Sequence, residues 1–200
     1  YENKKVAVIG SGATAVTLIP EIAKKASHVT MIQRSPTYIA SVPSKYKILH
    51  LLNYISPKLG YKIIRSINIL RQRRIYRRAM RSPELVKNYL LDLVRDELPG
   101  FDIEKHFTPT YNPWEQRLCL APDSDFFESI NQKRVSVETE TIDSFSEKGV
   151  QLDSGKLIEA DIIVTATGIK LQNFGGIRIF VDENKIDISK SFIYKSMMYT

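Results

Sequence analysis

The segment Val6–Ala15, with the sequence VAVIGSGATA, most strongly constrains the fold of this chain. Its first four residues, Val6–Ile9, are small or β-branched and apolar, which is typical of a strand that is covered on both faces. Gly10 and Gly12 then allow the backbone to turn tightly, and the apolar residues that follow recur at helical spacing to about Lys25. The segment therefore predicts a strand, a glycine turn and a helix in direct succession.

A strand-turn-helix unit of this kind can bind the pyrophosphate of a dinucleotide at its glycine turn. Ala15 stands in the place of the third glycine of the pattern G-x-G-x-x-G/A, where the helix packs against the strand. Free N–H groups at the start of the helix favour an anion, and a second apolar strand at His28–Gln33 completes a βαβ unit. We therefore expect a dinucleotide site, and the alternative is a strand-turn-helix that binds no ligand.

The end of the second strand indicates which dinucleotide the site prefers. In an NAD site, an acidic side chain about 20 residues beyond the first glycine accepts hydrogen bonds from the ribose. Here the strand ends in Gln33, Arg34 and Ser35, so a permanent cation and a hydroxyl stand where the acid would be. This pattern favours NADP over NAD, and the alternative is that Arg34 is an ordinary surface arginine.

The charges of the chain are unevenly distributed. No Asp or Glu occurs from Ile22 through Pro83, although that stretch holds fourteen Lys and Arg and the whole chain carries a net charge of +7. Such a segment can be a solvated helical face, steer an anionic coenzyme, lie on an anionic membrane or bind nucleic acid. We expect no nucleic-acid partner, because no recognised nucleic-acid motif is present, whereas peripheral membrane contact through the basic helices stays open. The cations concentrate at Lys58, Lys62, Arg65, Arg71, Arg73, Arg74, Arg77, Arg78 and Arg81.

Other features of the sequence limit location and chemistry. The chain has no run of 18 apolar residues and no signal peptide, which predicts a cytoplasmic location or a peripheral one at the inner face of the membrane. Cys119 is a lone cysteine and is expected to be a small buried residue, and the three histidines show no metal-ligand spacing, so we predict no metal site. Because the chain begins with Tyr1, we expect a segment of a longer protein; the alternative is the loss of the initiator methionine alone.

Helices are predicted in the middle of the chain. Prolines separate three predicted helices at Tyr46–Tyr54, Pro57–Met80 and Pro83–Leu98, and Pro36 and Pro43 interrupt regular structure before them. These helices form an insertion between the second strand and the later strands, which closes at a Pro-Gly pair.

The rest of the chain predicts a return to the sheet. An aromatic segment at His106–Arg117 reads as an ordered loop, and the turns within Thr141–Leu157 indicate a small antiparallel excursion. The remaining predicted elements are a strand that starts with Arg117–Leu120, a short helix at Asp123–Ile130, and strands at Val135–Val137 and Ile162–Ala166. The fold class is therefore α/β: a Rossmann-like, doubly wound parallel sheet with a helical insertion and a small antiparallel β excursion.

The order of the motifs resembles one protein family. The chain carries GSGATAV after the first strand, QRSPTY after the second, then the helical insertion, NPWEQRLC, a turn-rich β segment and ATG. From Val6 to about Gly168 this order resembles the NADPH-binding portion of a flavin-dependent Baeyer-Villiger monooxygenase of the ethionamide-activating type. The resemblance implies an enzyme that uses NADP and FAD with O2 to oxidise a ketone or the sulfur of a thioether or thioamide.

The resemblance also implies roles for individual residues. Arg117 matches the family's active-site arginine, a cation that stays charged throughout the reaction. The residues implied in cofactor binding are Gly10, Ser11, Gly12, Ala13, Thr14, Ala15, Arg34, Ser35, Ala166, Thr167 and Gly168. The glycine motif that binds FAD and the family fingerprint F-x-G-x-x-x-H-x-x-x-W are both absent, so we expect this chain alone to be inactive.

The expected domains follow from the same comparison. Residues 1–43 and 115–168 form an NADP-binding Rossmann-like domain, residues 44–114 form the basic helical insertion, and residues 169–200 return toward an FAD domain that this sequence lacks.

Two other functions stay open. One is a heteroatom-oxidising flavin-containing monooxygenase or related pyridine-nucleotide flavoprotein, and the other is a non-catalytic nucleotide-binding module that docks to membranes through its basic helices.

Overall fold

The structure is a computed structural model, and it describes residues 1–45, 56–116, 118–169, 173–187, 192–194 and 198–199. The chain divides into two compact units, Tyr1–Gly168 and Ile169–Thr200. The strands of the first unit are β1 (Lys5–Ile9), β2 (His28–Gln33), β3 (Tyr38–Val42), β4 (Leu118–Pro122), β5 (Val135–Thr139), β6 (Ile142–Ser146), β7 (Gly149–Leu152), β8 (Leu157–Glu159) and β9 (Ile162–Thr165). Its helices are α1 (Ala13–Ala23), α2 (Pro57–Arg81), α3 (Pro83–Glu97), α4 (Ile103–Phe107) and α5 (Asp125–Asn131).

A parallel sheet of four strands, in the order β5-β2-β1-β9, organises the first unit. The helices α1, α3, α4 and α5 pack on one face of this sheet, where Val6 and Val8 of β1 point into their core. The antiparallel sheet β6-β7-β8 covers the other face, where Ala7 and Ile32 contact Val150. Both faces are therefore buried, which explains the uninterrupted apolar residues of β1 and β2. The predicted α/β fold with an antiparallel excursion is confirmed.

Helix α1 follows the glycine turn as predicted and ends at Ala23 rather than near Lys25. Its apolar residues recur on one face, and Ala15, Val16 and Ile19 are completely buried against the sheet. Burial of this face stabilises the helix, because a helix of eleven residues is marginal without tertiary contacts. The packing fixes the start of α1 at the carboxyl end of β1.

The helical insertion contains α2 and α3, close to the predicted bounds. The hydroxyl of Ser56 accepts a hydrogen bond from the N–H of Leu59 at the start of α2, and Pro57 occupies the first turn. Helix α3 buries an apolar stripe that includes Leu91 and Val94 in the main core. The predicted helix 46–54 lies outside the described residues. Within the described part of the chain, no helix combines the length and the apolar character that crossing a bilayer requires.

At the borders of this insertion the structure shows one strand that was not predicted and one loop that begins later than predicted. The segment between Pro36 and Pro43 forms β3, which pairs in parallel with β4 and buries Tyr38 and Ile39. The insertion also extends past Pro99-Gly100 into helix α4, whose start Asp102 caps by accepting a hydrogen bond from the backbone of Lys105. His106 and Phe107 therefore belong to a helix, and the ordered loop begins after them.

The second unit, Ile169–Thr200, is described only in part. It contains a 3-10 helix at Asn173–Gly176 and a hairpin in which β10 (Phe180–Val181) pairs antiparallel with β11 (Asn184–Lys185). A second short antiparallel pair joins β12 (Ile193–Tyr194) and β13 (Met198–Tyr199).

Candidate functional site

A cavity of about 540 Å³ opens at the carboxyl ends of β1, β2 and β9. Strand β1 has β2 on one side and β9 on the other, so this is the place where the strand order of a doubly wound sheet reverses and where such sheets bind ligands. The lining residues come from the ends of the strands and the turns that follow them. They are Ile9, Gly10, Ser11, Gly12, Thr14, Ile32, Gln33, Arg34, Ser35, Glu140, Thr141, Ile142, Ala166, Thr167 and Gly168.

The glycine turn is held against the end of β9. Gly10 has a φ angle of +123°, and a Cβ atom placed on it would lie 2.4 Å from the carbonyl oxygen of Ala166. The N–H of Gly10 donates to the carbonyl oxygen of Ile32 at 2.8 Å, and the N–H of Ala166 donates to Ile9 at 2.7 Å. Only glycine satisfies both the backbone angle and the close approach, so the turn has one geometry and forms a fixed wall of the cavity.

The start of α1 faces this cavity with backbone donors. Gly12 is the N-cap residue in an extended conformation, with no side-chain hydrogen bond at the cap and no acidic residue in the first turn. The N–H of Val16 donates to the carbonyl oxygen of Gly12, so the N–H groups of Ala13, Thr14 and Ala15 precede the first intrahelical bond. These donors and the helix dipole give this end of the cavity a positive potential that suits phosphate.

The end of β2 brings the predicted cation to the same cavity. Arg34 and Ser35 follow β2 directly, are exposed, and line the same cavity as the glycine turn. Within the described residues, no carboxylate lies within ion-pair distance of Arg34. A guanidinium without such a partner can donate two parallel hydrogen bonds to the oxygens of one phosphate.

The structure brings together nine of the eleven predicted cofactor-binding residues and separates the rest. Ala15 lies on the face of α1 that packs against the sheet. It is completely buried and does not line the cavity, so its side chain contributes to packing. Ala13 is exposed but also lies outside the cavity lining. The predicted catalytic residue, Arg117, lies outside the described residues. Gly168 is in the lining with a φ angle of +103° and open space around it, so its backbone angle rather than a close approach requires glycine.

Sequence reasoning missed three cavity residues that follow β5. Glu140, Thr141 and Ile142 line the cavity beside Arg34 because β5 pairs with β2, which places Thr139 opposite Gln33. The carboxylate of Glu140 accepts a hydrogen bond from the N–H of Ser154 in the antiparallel sheet. The signal was available, since the residue after any parallel strand stands at the ligand-binding edge of the sheet.

A buried polar network supports the floor of the cavity behind Gln33. The side-chain amide of Gln33 donates to the carbonyl oxygen of His106 at 2.7 Å and to the hydroxyl of Thr139 at 2.9 Å. Nδ1 of His106 lies 2.8 Å from the same hydroxyl, and its ring packs on Phe101. Burial lowers the pKa of His106, and the charge of Lys105 lowers it further. The neutral imidazole therefore ties the insertion to the ends of β2 and β5.

Other candidate chemistry is not supported by the described residues. Cys119 is buried, as predicted, with its Sγ 3.8 Å from the carbonyl oxygen of Ser11. In the part of the chain that the structure describes, no group of three or more His, Cys, Asp or Glu side chains could hold a metal ion.

Curated proteins of similar sequence are flavin monooxygenases. The chain is 48% identical over 200 residues to a probable FAD-binding monooxygenase, AlmA, from Acinetobacter baylyi; the match covers 99% of the chain and 40% of that protein. It is 47% identical over 201 residues to the FAD-containing monooxygenase EthA from Mycobacterium tuberculosis, with coverages of 99% and 41%. The chain thus spans about two fifths of the length of these relatives. No family model matches the chain.

Solved monooxygenase structures share the fold. The chain superposes on OTEMO in complex with FAD and NADP with a TM-score of 0.61 at 18% identity, over 85% of this chain and 39% of that one. It superposes on an oxidized steroid monooxygenase bound to NADP with a TM-score of 0.63 at 18% identity, over 84% and 39%. At this identity the likeness shows the fold, and it agrees with the Rossmann-like sheet described above.

Proposed function

We propose that this chain, a homologue of the FAD-containing monooxygenases over 99% of its length, is the NADPH-binding portion of such an enzyme. The observation that carries the proposal is the cavity that joins the glycine turn, the start of α1 and Arg34. Backbone donors and a guanidinium both line this cavity. A dinucleotide with an additional phosphate on its ribose presents an anion to each of them.

The residues of the cavity fit NADP in the type of donor that they offer. The N–H groups at Ala13, Thr14 and Ala15 suit the pyrophosphate, and the guanidinium of Arg34 with the hydroxyl of Ser35 suits the 2′-phosphate. Ala13 and Ala15 do not line the cavity, so the role we assign to them is limited to their backbone N–H groups at the start of α1. The ATG segment, Ala166–Gly168, would contact the part of the coenzyme that crosses the end of β9.

The proposed reaction is NADPH-dependent oxidation by O2 of a small ketone, in the Baeyer-Villiger manner, or of the sulfur of a thioether or thioamide.

FAD supplies the oxygen chemistry when it is bound, and we assign its binding to parts of the full-length enzyme outside this chain. Residues 1–43 and 115–168 form the NADP-binding domain, residues 44–114 the insertion, and residues 169–200 the return toward the FAD domain. By the family resemblance, Arg117 would supply the permanent positive charge that the reaction needs. Substrate profiling of the full-length enzyme separates this function from that of a heteroatom-oxidising flavin-containing monooxygenase, which would leave ketones unchanged.

Calorimetric titration with NADPH and with NADH tests the proposal on the full-length enzyme. We expect NADPH to bind more tightly than NADH, and R34E to remove this preference by weakening NADPH binding alone. The matched control is K4E, because Lys4 is an exposed cation next to the opposite end of β1. Equal losses for NADPH and NADH in R34E, or the same loss in K4E, would contradict the proposal.

A further inference from the structure

Helix α2 is exposed along most of its length. Of its 25 residues only Gly60 and Ala79 are buried, and Tyr76 near its carboxyl end packs edge-on against Trp114 at 6.1 Å. Several large apolar side chains of α2 are about half exposed. They are Leu59, Tyr61, Ile67, Ile69, Leu70, Tyr76 and Met80. A helix that packs on its own domain buries its large apolar side chains, so those of α2 leave apolar surface that the described chain does not cover.

The apolar surface continues into a groove between α2 and α3. The groove has a volume of about 810 Å³, and its walls include Leu70 from α2 and Leu85 and Tyr89 from α3. Leu85 and Tyr89 are 57% and 55% exposed, although both lie on a helix whose other face is in the core. Apolar side chains from two helices therefore form one exposed patch, which is larger than an isolated exposed apolar side chain.

Arginines line this groove together with the apolar residues. Arg71, Arg74 and Arg78 follow one side of α2, one turn apart, and all three belong to the groove lining. Helix α2 contains nine Lys and Arg and no Asp or Glu, and within the described residues none of these nine forms an ion pair. The local positive charge is thus uncompensated, and the groove suits a partner that is both anionic and apolar.

We propose that the α2–α3 surface docks on a bilayer containing anionic phospholipid. Lipid phosphates would pair with Arg71, Arg74 and Arg78, while Leu70 and Leu85 enter the boundary between head groups and acyl chains. Tyr89 of this surface has the amphipathic character that is typical of residues at this depth. The partner surface is a membrane on the cytoplasmic side, where anionic lipid attracts basic segments.

Charge and composition favour a bilayer over other occupants. A second copy of the chain would place the same nine cations against each other in a two-fold interface, and like charges would oppose that contact. A nucleic acid would use the arginines but would leave the exposed leucine and isoleucine side chains in water. A bilayer uses both groups at once, because arginine side chains extend their charged ends toward phosphate while their stems cover apolar surface.

Vesicle sedimentation with the full-length enzyme tests this proposal. The protein is mixed with vesicles of phosphatidylcholine alone and with vesicles that also contain phosphatidylglycerol, whose negative charge attracts polybasic segments. We expect binding only to the anionic vesicles, and weaker binding at high salt. Removing three charges in R71Q/R74Q/R78Q should weaken it about 100-fold, with helix propensity retained. The matched control, K4Q/K45Q/K148Q, removes three exposed cations elsewhere and should bind as the unmodified protein does.

A second variant tests the apolar part of the surface. L70S/L85S replaces two side chains that are 51% and 57% exposed, so we expect the fold and NADPH affinity to be kept while vesicle binding falls about tenfold. Unchanged binding in this variant would overturn insertion at the groove. Equal binding to both kinds of vesicle, or full binding by the arginine variant, would overturn the lipid pairing. Failure of the unmodified enzyme to bind either kind of vesicle would also overturn the proposal. So would a different result: no vesicle binding, together with a dimer in sedimentation velocity that either variant dissociates.

Discussion

The α-carbon of Gly10 lies so close to the carbonyl oxygen of Ala166 that a Cβ atom on it would be 2.4 Å from that oxygen. The contact joins the turn after β1 to the end of β9, and both segments line the proposed coenzyme cavity. Gly10 therefore does more than let a ligand approach the backbone. It sets the spacing between two walls of the site.

Gly10→Ala should destabilise the protein and abolish NADPH binding. The added methyl group meets the Ala166 carbonyl, and the φ angle of +123° is itself unfavourable for alanine. Gly155→Ala is the matched control, because Gly155 also has a positive φ, +86°, but open space around its Cβ position. We expect a loss of about 1–2 kcal/mol from the backbone angle in the control and a larger loss in Gly10→Ala. Chemical denaturation followed by circular dichroism measures both, and equal losses would show that the contact with Ala166 is unimportant.

Glu140→Gln should strengthen NADPH binding by about three- to tenfold and change NADH binding much less. Glu140 lines the same cavity as Arg34, so its negative charge opposes a 2′-phosphate, whereas glutamine can still accept the hydrogen bond from Ser154. Calorimetric titration gives the two affinities. Glu147→Gln, in an exposed turn of the antiparallel sheet, should leave both unchanged. Weaker NADPH binding in Glu140→Gln would mean that the carboxylate itself contacts the coenzyme.

The buried His106 predicts a dependence of stability on pH. Because burial lowers its folded pKa below the ordinary value of 6.5, the unfolded chain takes up a proton first as the pH falls. The contribution of the neutral His106 side chain to the free energy of unfolding is therefore fully present above pH 6.5. It is lost as the pH falls from there through the pKa of His106 in the folded protein. His106→Asn, which keeps a polar group beside Thr139, should be less stable at pH 8 and show a smaller further loss at pH 5.5. Identical pH slopes for the two proteins would contradict this role.

Arg117→Ala should separate the two half-reactions of the full-length enzyme. If Arg117 supplies the permanent cation at the reacting atoms, its loss should reduce product formation roughly 100-fold or more. NADPH-driven reduction of the flavin should continue, since the proposed NADP ligands are other residues. Stopped-flow absorbance follows flavin reduction, and chromatography follows oxygenated product. Retained product formation would remove the proposed role, and parallel loss of flavin reduction would indicate a structural defect instead.

Local patterns in the sequence predicted the parts of this fold that depend on local forces. Strand β1, the glycine turn and α1 follow from residue spacing, and the prolines marked the start of α2 and the boundary between α2 and α3. Strand β3 was missed because its partner β4 lies on the far side of the helical insertion, and no local signal reveals a pairing over that distance. Its flanking prolines, read as interruptions, are the residues just outside the strand.

The candidate site divides in the same way. The glycine turn and Arg34 follow β1 and β2, whose ends are marked by local sequence patterns. Their meeting at one edge of the sheet was therefore predicted. Glu140 reaches the cavity only because β5 lies beside β2 in the sheet order. The exposed groove beside Leu85 also depends on tertiary structure, because side chains from two helices, α2 and α3, form it together.

A crystal structure of the full-length enzyme with NADP+ tests the central claim most directly. We expect the pyrophosphate within hydrogen-bond distance of the backbone N–H groups between Gly12 and Ala15, and the 2′-phosphate within hydrogen-bond distance of the Arg34 guanidinium. A coenzyme bound elsewhere, or a cavity between Gly10 and Arg34 filled by other protein side chains, would contradict it.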